Sequence, residues 1–214
     1  MWHALVLTAG GYGTLVVHEL GHLYAGRALG HNALTVTIGL GPAIARFTDA
    51  WGTIWTFQLL PVRSACGFID EPIPQPRLTL KGARPPRAFR SLGLRERAFV
   101  LLGGPFANAA LACVLILATY IEDPDFTFVR LANTDNGITF LIGSLSAAIA
   151  LFNLLPIPPL DGGRLVMLAI EALTGNPIDI KSERRLFRLG AIILSVVTLL
   201  GALLFFALPS LVLE

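Results

Sequence analysis

Four long apolar stretches divide the chain, at about residues 2–29, 98–121, 138–173 and 189–208. Each holds the roughly 20 residues that a helix needs to cross ~30 Å of hydrocarbon. The third is too long for one straight span and contains Pro156, Pro158 and Pro159, so it is expected to break over 156–163. Broken helices at membrane depth are tolerated only where they are buried in protein or line a cavity, which makes the break a candidate site. Between the first two stretches the pattern changes. Residues 33–38, 43–48 and 53–62 are rich in Thr, Val, Ile, Trp and Phe, and are separated by Gly39-Leu40-Gly41-Pro42 and Asp49-Ala50-Trp51-Gly52. This predicts strands joined by tight turns, lying at or dipping into a membrane surface because they carry few charges. Residues 71–97 interleave proline with arginine and lysine and are expected to be a solvated, extended linker rather than a lipid-binding segment. The expected fold class is an all-α polytopic membrane protein. It has about four transmembrane helices, a membrane-associated β-hairpin or sheet between the first and second, and a single domain over 1–214.

Composition agrees with a membrane protein. The chain is 54% hydrophobic and 14% charged, with a mean hydropathy of +0.70, whereas soluble domains carry about 25% charged residues. A net charge of +2 gives no reason to expect nucleic acid as a partner. The basic residues report topology instead. Nine, from Arg46 to Arg97, lie between the first and second stretches, and Lys181, Arg184, Arg185 and Arg188 lie between the third and fourth. Only Arg130 lies between the second and third, beside Glu122, Asp123, Asp125 and Asp135. The positive-inside rule makes the first and third connections cytoplasmic and puts both termini outside. No Lys or Arg precedes Arg27, so the first stretch reads as a retained span and not a signal peptide. Cys66 and Cys113 lack metal or redox spacing and are expected to be thiols.

The chemistry sits in the first stretch. His18-Glu19-Leu20-Gly21-His22 is His-Glu-x-x-His, in which two histidines at i and i+4 share one helical face and can reach one metal ion. The adjacent glutamate can then serve as general base toward a zinc-activated water. Ionisable groups at this depth cost about 2.5–3.5 kcal/mol each on the insertion scale for charged types, so a purpose is expected. A catalytic zinc usually has three protein ligands. Asp161, in Pro158-Pro159-Leu160-Asp161-Gly162-Gly163, is a candidate for the third, with prolines and glycines to turn the backbone there. The alternative is a helix N-cap. Asn108 and Asn153 are amides in apolar helices, where they need hydrogen bonds. Each could contact substrate or serve as interhelical glue. Gly103 and Gly104 are expected to allow close helix packing.

These segments together resemble the site-2 protease family, the intramembrane zinc metalloproteases. His18–His22 matches the family's His-Glu-x-x-His, Gly103-Gly104-Pro105-Phe106-Ala107-Asn108 its Gly-x-x-x-Asn element, and Asn153 to Gly162 its Asn-x-x-Pro-x-x-x-Leu-Asp-Gly element. Residues 60–69 are similar to its membrane-associated β-hairpin. The resemblance spans most of the chain and takes a minimal form, without a PDZ or CBS domain. It implies one zinc per chain held by His18, His22 and Asp161, with Glu19 catalytic and Asn153 and Asn108 binding substrate. The implied activity is endopeptidase cleavage of a transmembrane protein substrate near the cytoplasmic side of the bilayer. The charge bias suits a prokaryotic plasma membrane. Competing readings are a catalytically silent membrane adaptor, opposed by the intact motif, and a transporter with a midplane metal site, for which inverted repeats are missing.

Overall fold

The computed structural model describes residues 2–68, 88–124 and 135–212. Among the described residues, five α-helices and two strands follow in the order α1 (Trp2–Ala28), β1 (Thr35–Thr48), β2 (Ile54–Gly67), α2 (Leu94–Glu122), α3 (Asp135–Asn153), α4 (Asp161–Thr174) and α5 (Ile180–Val212). Among the described residues, 94–122 and 136–153 are helices long and apolar enough to cross a membrane. The molecule divides into two compact units, 1–153 and 154–214.

In the first unit, α1 ends where the sequence supplies a left-handed residue. Gly30 has φ +75°, the Gly30 N–H donates to Arg27 O at 2.9 Å, and the His31 N–H donates to Gly26 O at 2.9 Å. Those paired bonds satisfy carbonyls that the helix terminus would otherwise orphan. The chain then enters the sheet, which departs from the three predicted strands. Gly39 and Gly41, with φ of +102° and +98°, bend β1 without ending it, and β2 continues to Gly67 rather than stopping near Val62. Each long strand therefore pairs twice. Residues 45–48 run antiparallel to 54–57, while residues 35–38 lie antiparallel to 64–67 and parallel to 54–57. The Gly-Pro cluster that signals a turn here supplies a corner inside one strand.

One face of the sheet packs on α1. Val36, Ile38 and Trp55 form a buried cluster with Leu23 and Ala33, flanked by Tyr12, Leu15, Val16 and Leu20 of the helix. Polar contacts fix the sheet along α1 in two places. Near the start, the Tyr12 hydroxyl meets the carbonyls of Gln58 and Leu59, the latter at 2.7 Å. At the end, Arg27 Nη2 donates to Asp49 Oδ2 at 2.6 Å and to Thr53 Oγ1 at 3.1 Å, and Arg27 Nε donates to Asn32 Oδ1 at 2.9 Å. Asp49 also accepts from Trp55 Nε1 at 3.1 Å and from the backbone N–H groups of Trp51 and Thr53 at 2.9 and 3.0 Å.

Partial burial pushes the Asp49 carboxyl up, but the hydrogen bonds from Arg27, Trp55 and Thr53, with the Arg27 charge, outweigh it and hold the carboxyl below the ordinary 3.8. A carboxylate with a depressed folded pKa contributes stability above its unfolded pKa and loses it as pH falls through the folded value. Asp49→Asn is therefore expected to melt below the parent near neutral pH, by the equivalent of about 1.5–3 kcal/mol for charged hydrogen bonds. The gap should close as pH falls below 3.8. Thermal melts across that range in detergent check it, and a pH-independent gap would reassign the loss to packing.

The last part of the expected linker is structured. Phe89–Ser91 makes one 3₁₀ turn, Leu92 is buried with Ala25 and Val100, and the Glu96 carboxylate accepts from the Gly93 N–H at 2.8 Å. Half of a capping box thus opens α2 inside the range read as linker. Residues 71–87 of that linker, and Ile69 of the expected hairpin, lie outside the described residues. The helices α1 and α2 cross with backbones touching. A Cβ on Gly21 would stand 2.2 Å from Gly103 O, and one on Gly103 would stand 2.5 Å from Gly21 O. The fully buried Ser146 of α3 donates to the Asn108 carbonyl of α2 at 2.9 Å.

The second unit holds α4 and α5. Helix is interrupted over 154–160, beginning two residues before Pro156, where helical backbone is disfavoured for the residue preceding the proline. Gly162 and Gly163 do not turn the chain as expected. They lie in the first turn of α4, where a Cβ on Gly162 would fall 2.2 Å from Leu154 O and one on Gly163 2.6 Å from the Ile157 carbonyl carbon. Their missing side chains let the loop backbone close over the start of the helix. Asp179 caps α5, accepting from the N–H groups of Lys181 and Ser182 at 3.1 and 3.3 Å. The basic run from Lys181 to Arg188 forms its first turns, so the fourth apolar stretch is the later part of a longer helix.

Candidate metal centre

Helical spacing places His18 and His22 one turn apart on the face of α1 turned toward α2. Both are buried, as is Glu19 at 2% exposure. The two rings stand nearly perpendicular, at 83°, with Nε2 atoms 3.2 Å apart. His22 Nδ1 lies 2.8 Å from Val100 O of α2. A carbonyl only accepts, so Nδ1 carries the proton and Nε2 presents a lone pair. On the other ring, His18 Nδ1 faces the Asn108 amide at 3.5 Å.

A metal ion fits these donors. Two nitrogens at the Zn–N distance of about 2.0–2.1 Å in a tetrahedral shell lie ~3.3 Å apart, close to the 3.2 Å between the two Nε2 atoms. Space for the ion comes from Gly104. A Cβ there would reach 2.4 Å from His22 Nε2 and 2.8 Å from His18 Nε2, so even an alanine would occupy the position in front of the two Nε2 atoms. The two glycines expected to serve packing thus divide the work: Gly103 lets the helices touch, and Gly104 leaves room beside the nitrogens.

The first unit brings together His18, Glu19, His22 and Asn108. Asn153, the last residue of α3, is half-buried and donates from Nδ2 to Ile149 O at 3.0 Å within its own helix. Asp161 belongs to the second unit, where it is the first helical residue of α4; the N-cap position falls on Leu160, without a side-chain cap. Two contributors escaped sequence reasoning. Val100 acts through its backbone carbonyl, which no side-chain pattern reports. Gly104 was visible only as half of a Gly-Gly pair.

Paired imidazoles with a neighbouring buried carboxylate on one helix define the class of zinc-type metallohydrolase centres. The profile of Peptidase family M50 matches residues 8–126 and 130–197, and the chain belongs to that family. It is 43% identical over 107 residues to Protease RseP of Yersinia pestis, covering 50% of this chain and 23% of that protein. Metalloprotease MmpA of Caulobacter vibrioides is 46% identical over 68 residues, covering 32% of this chain and 16% of that protein. A Rhizobium meliloti protein with an inferred zinc-metalloprotease name is 30% identical over 125 residues, covering 53% of this chain and 33% of the relative. The matched stretches thus span a third or less of these relatives' lengths.

Proposed function

We propose that the chain is a zinc-dependent intramembrane endopeptidase that hydrolyses a peptide bond in a substrate's transmembrane segment, near the cytoplasmic side. One observation carries the reading: two buried imidazoles, one with its tautomer fixed by Val100 O, converge at 3.2 Å beside a buried glutamate on a helix of M50 type. His18, His22 and Asp161 hold the zinc, one per chain. The metal when bound supplies Lewis acidity, acidifying a water and polarising the scissile carbonyl. Glu19 takes the proton from the attacking water and delivers it to the departing amine nitrogen. Asn153 contacts the substrate backbone. Four spans, formed by α1, α2, α3 with α4, and α5, put both termini outside a prokaryotic plasma membrane.

The substrate must be unwound, since a helical carbonyl is already hydrogen-bonded. Strand addition to the sheet is the route we favour. Residues 43–48 and 64–67 each pair within the sheet on one side only, and Ile44, Phe47, Leu59, Leu60 and Val62 are exposed apolar side chains suited to a lipid surface.

Purified protein reconstituted in liposomes should carry about one zinc per chain, the count for a mononuclear centre, and cleave a membrane-spanning substrate. Asp161→Ala should weaken zinc retention by 10-fold or more, about 1.4 kcal/mol or above, read by chelator competition. Absence of zinc in the parent, or unchanged affinity in the variant, overturns the assignment.

A further inference from the structure

We infer that Asn108 is a positioning residue for the metal centre: its side-chain carbonyl accepts the His18 Nδ1 proton and aims the His18 Nε2 lone pair at the ion. This rests on the zinc reading above. Asn108 is fully buried in α2, and His18 Nδ1 is the ring atom that meets it, at 3.5 Å. When His18 ligates through Nε2, its Nδ1 carries hydrogen and needs an acceptor. As oriented, the amide turns Nδ2 toward that nitrogen, which would set two donors face to face. The same orientation leaves Asn108 Oδ1 buried with no hydrogen-bond partner. Rotating the amide by half a turn resolves both problems at once, because oxygen and nitrogen of an amide have nearly the same shape. Oδ1 then meets His18 Nδ1–H, and the orphaned acceptor is satisfied.

The surroundings hold the amide in place. Ser146 ties the Asn108 backbone carbonyl to α3, and Val100, two turns earlier on the same helix, serves His22 in the same way. Helix α2 thus supplies one acceptor to each ligand histidine, a backbone carbonyl for one and a side-chain carbonyl for the other. This role differs from the two weighed for Asn108 on sequence alone. A buried amide turned to a ligand ring is more than interhelical glue, and its oxygen is committed before any substrate arrives.

The test compares Asn108→Leu, which keeps the volume and loses the acceptor, with Asn108→Asp, which keeps an acceptor oxygen. Zinc affinity of the full chain in detergent is read by chelator competition. Asn108→Leu should bind zinc ~10–100-fold more weakly, the usual loss for an outer partner of a ligand histidine, whereas Asn108→Asp should stay within a few-fold of the parent or bind tighter. Nitrogen-15 NMR of the metal-free protein gives a second readout that needs no activity. His18 should be the Nδ1-protonated tautomer in the parent and in Asn108→Asp, and a mixture in Asn108→Leu. Unchanged affinity or tautomer in Asn108→Leu, or an equal loss in both variants, overturns the inference while leaving the zinc reading intact. A parent that binds no zinc yet shows the Nδ1–H tautomer overturns the zinc reading instead.

Discussion

Glu19→Gln is expected to abolish peptide-bond cleavage and leave zinc in place. Glutamine matches glutamate in shape, so the buried pocket beside the histidines keeps its packing, and neither ligand nitrogen belongs to the substituted side chain. What disappears is a group able to take a proton from the attacking water and hand it to the leaving amine. Proton transfer of this kind contributes about 10²–10⁴-fold to rate. In the proposed mechanism one group serves both steps, so the loss should lie at or beyond the upper end. Site-specific cleavage of a reconstituted transmembrane substrate, measured beside metal content per chain, decides the matter. Robust turnover by the variant would remove Glu19 from its role, and loss of the zinc would make the residue structural.

The second large effect is steric. Gly104→Val places branched carbons where even a Cβ would approach His22 Nε2 to 2.4 Å. Helical backbone offers no rotamer that withdraws the Cβ itself, so the histidines must part or the ion must be excluded. Near-complete loss of zinc and of activity is expected, with the helix content of the parent retained, because the Cβ is directed at ring atoms and not at backbone. The contrast is Gly21→Val, aimed at Gly103 O from 2.2 Å, which should disturb the crossing of α1 and α2 and lower the melting temperature. Circular dichroism and metal analysis on the pair separate the two outcomes. A Gly104→Val protein that binds zinc normally would show that the ion sits elsewhere.

Much of this was legible in the chain. The four apolar runs mark where helix occurs, and the break of the third falls at its prolines. His18, Glu19 and His22 announced themselves because polar groups in such a run are costly. Reading failed where the cause was not local. Gly39 to Pro42 carries every mark of a turn, yet the partners that 35–38 find in both 54–57 and 64–67 draw the chain on as one bent strand. The composition of 88–97 predicts linker, because the Gly93–Glu96 spacing that opens α2 lies hidden among the arginines. The pattern of Gly162 and Gly163 predicts a turn, but what they supply is clearance for a loop that only the folded chain brings near. Val100 was out of reach, because its contribution is a carbonyl that every residue possesses.

The two fastenings of the sheet to α1, at Tyr12 and at Arg27, lie on either side of the histidine pair. The sheet therefore cannot slide along the helix without releasing one of them, and it keeps a constant offset from the His18 and His22 nitrogens. A substrate strand laid on its edge would advance past the metal in increments of about 3.3 Å per residue. The bond presented for cleavage would then be chosen by counting from the paired residues, as on a fixed scale, and much less by the side chains on either side of it. With the proposed function, a protease of this kind would accept unlike sequences and still cut each at one place.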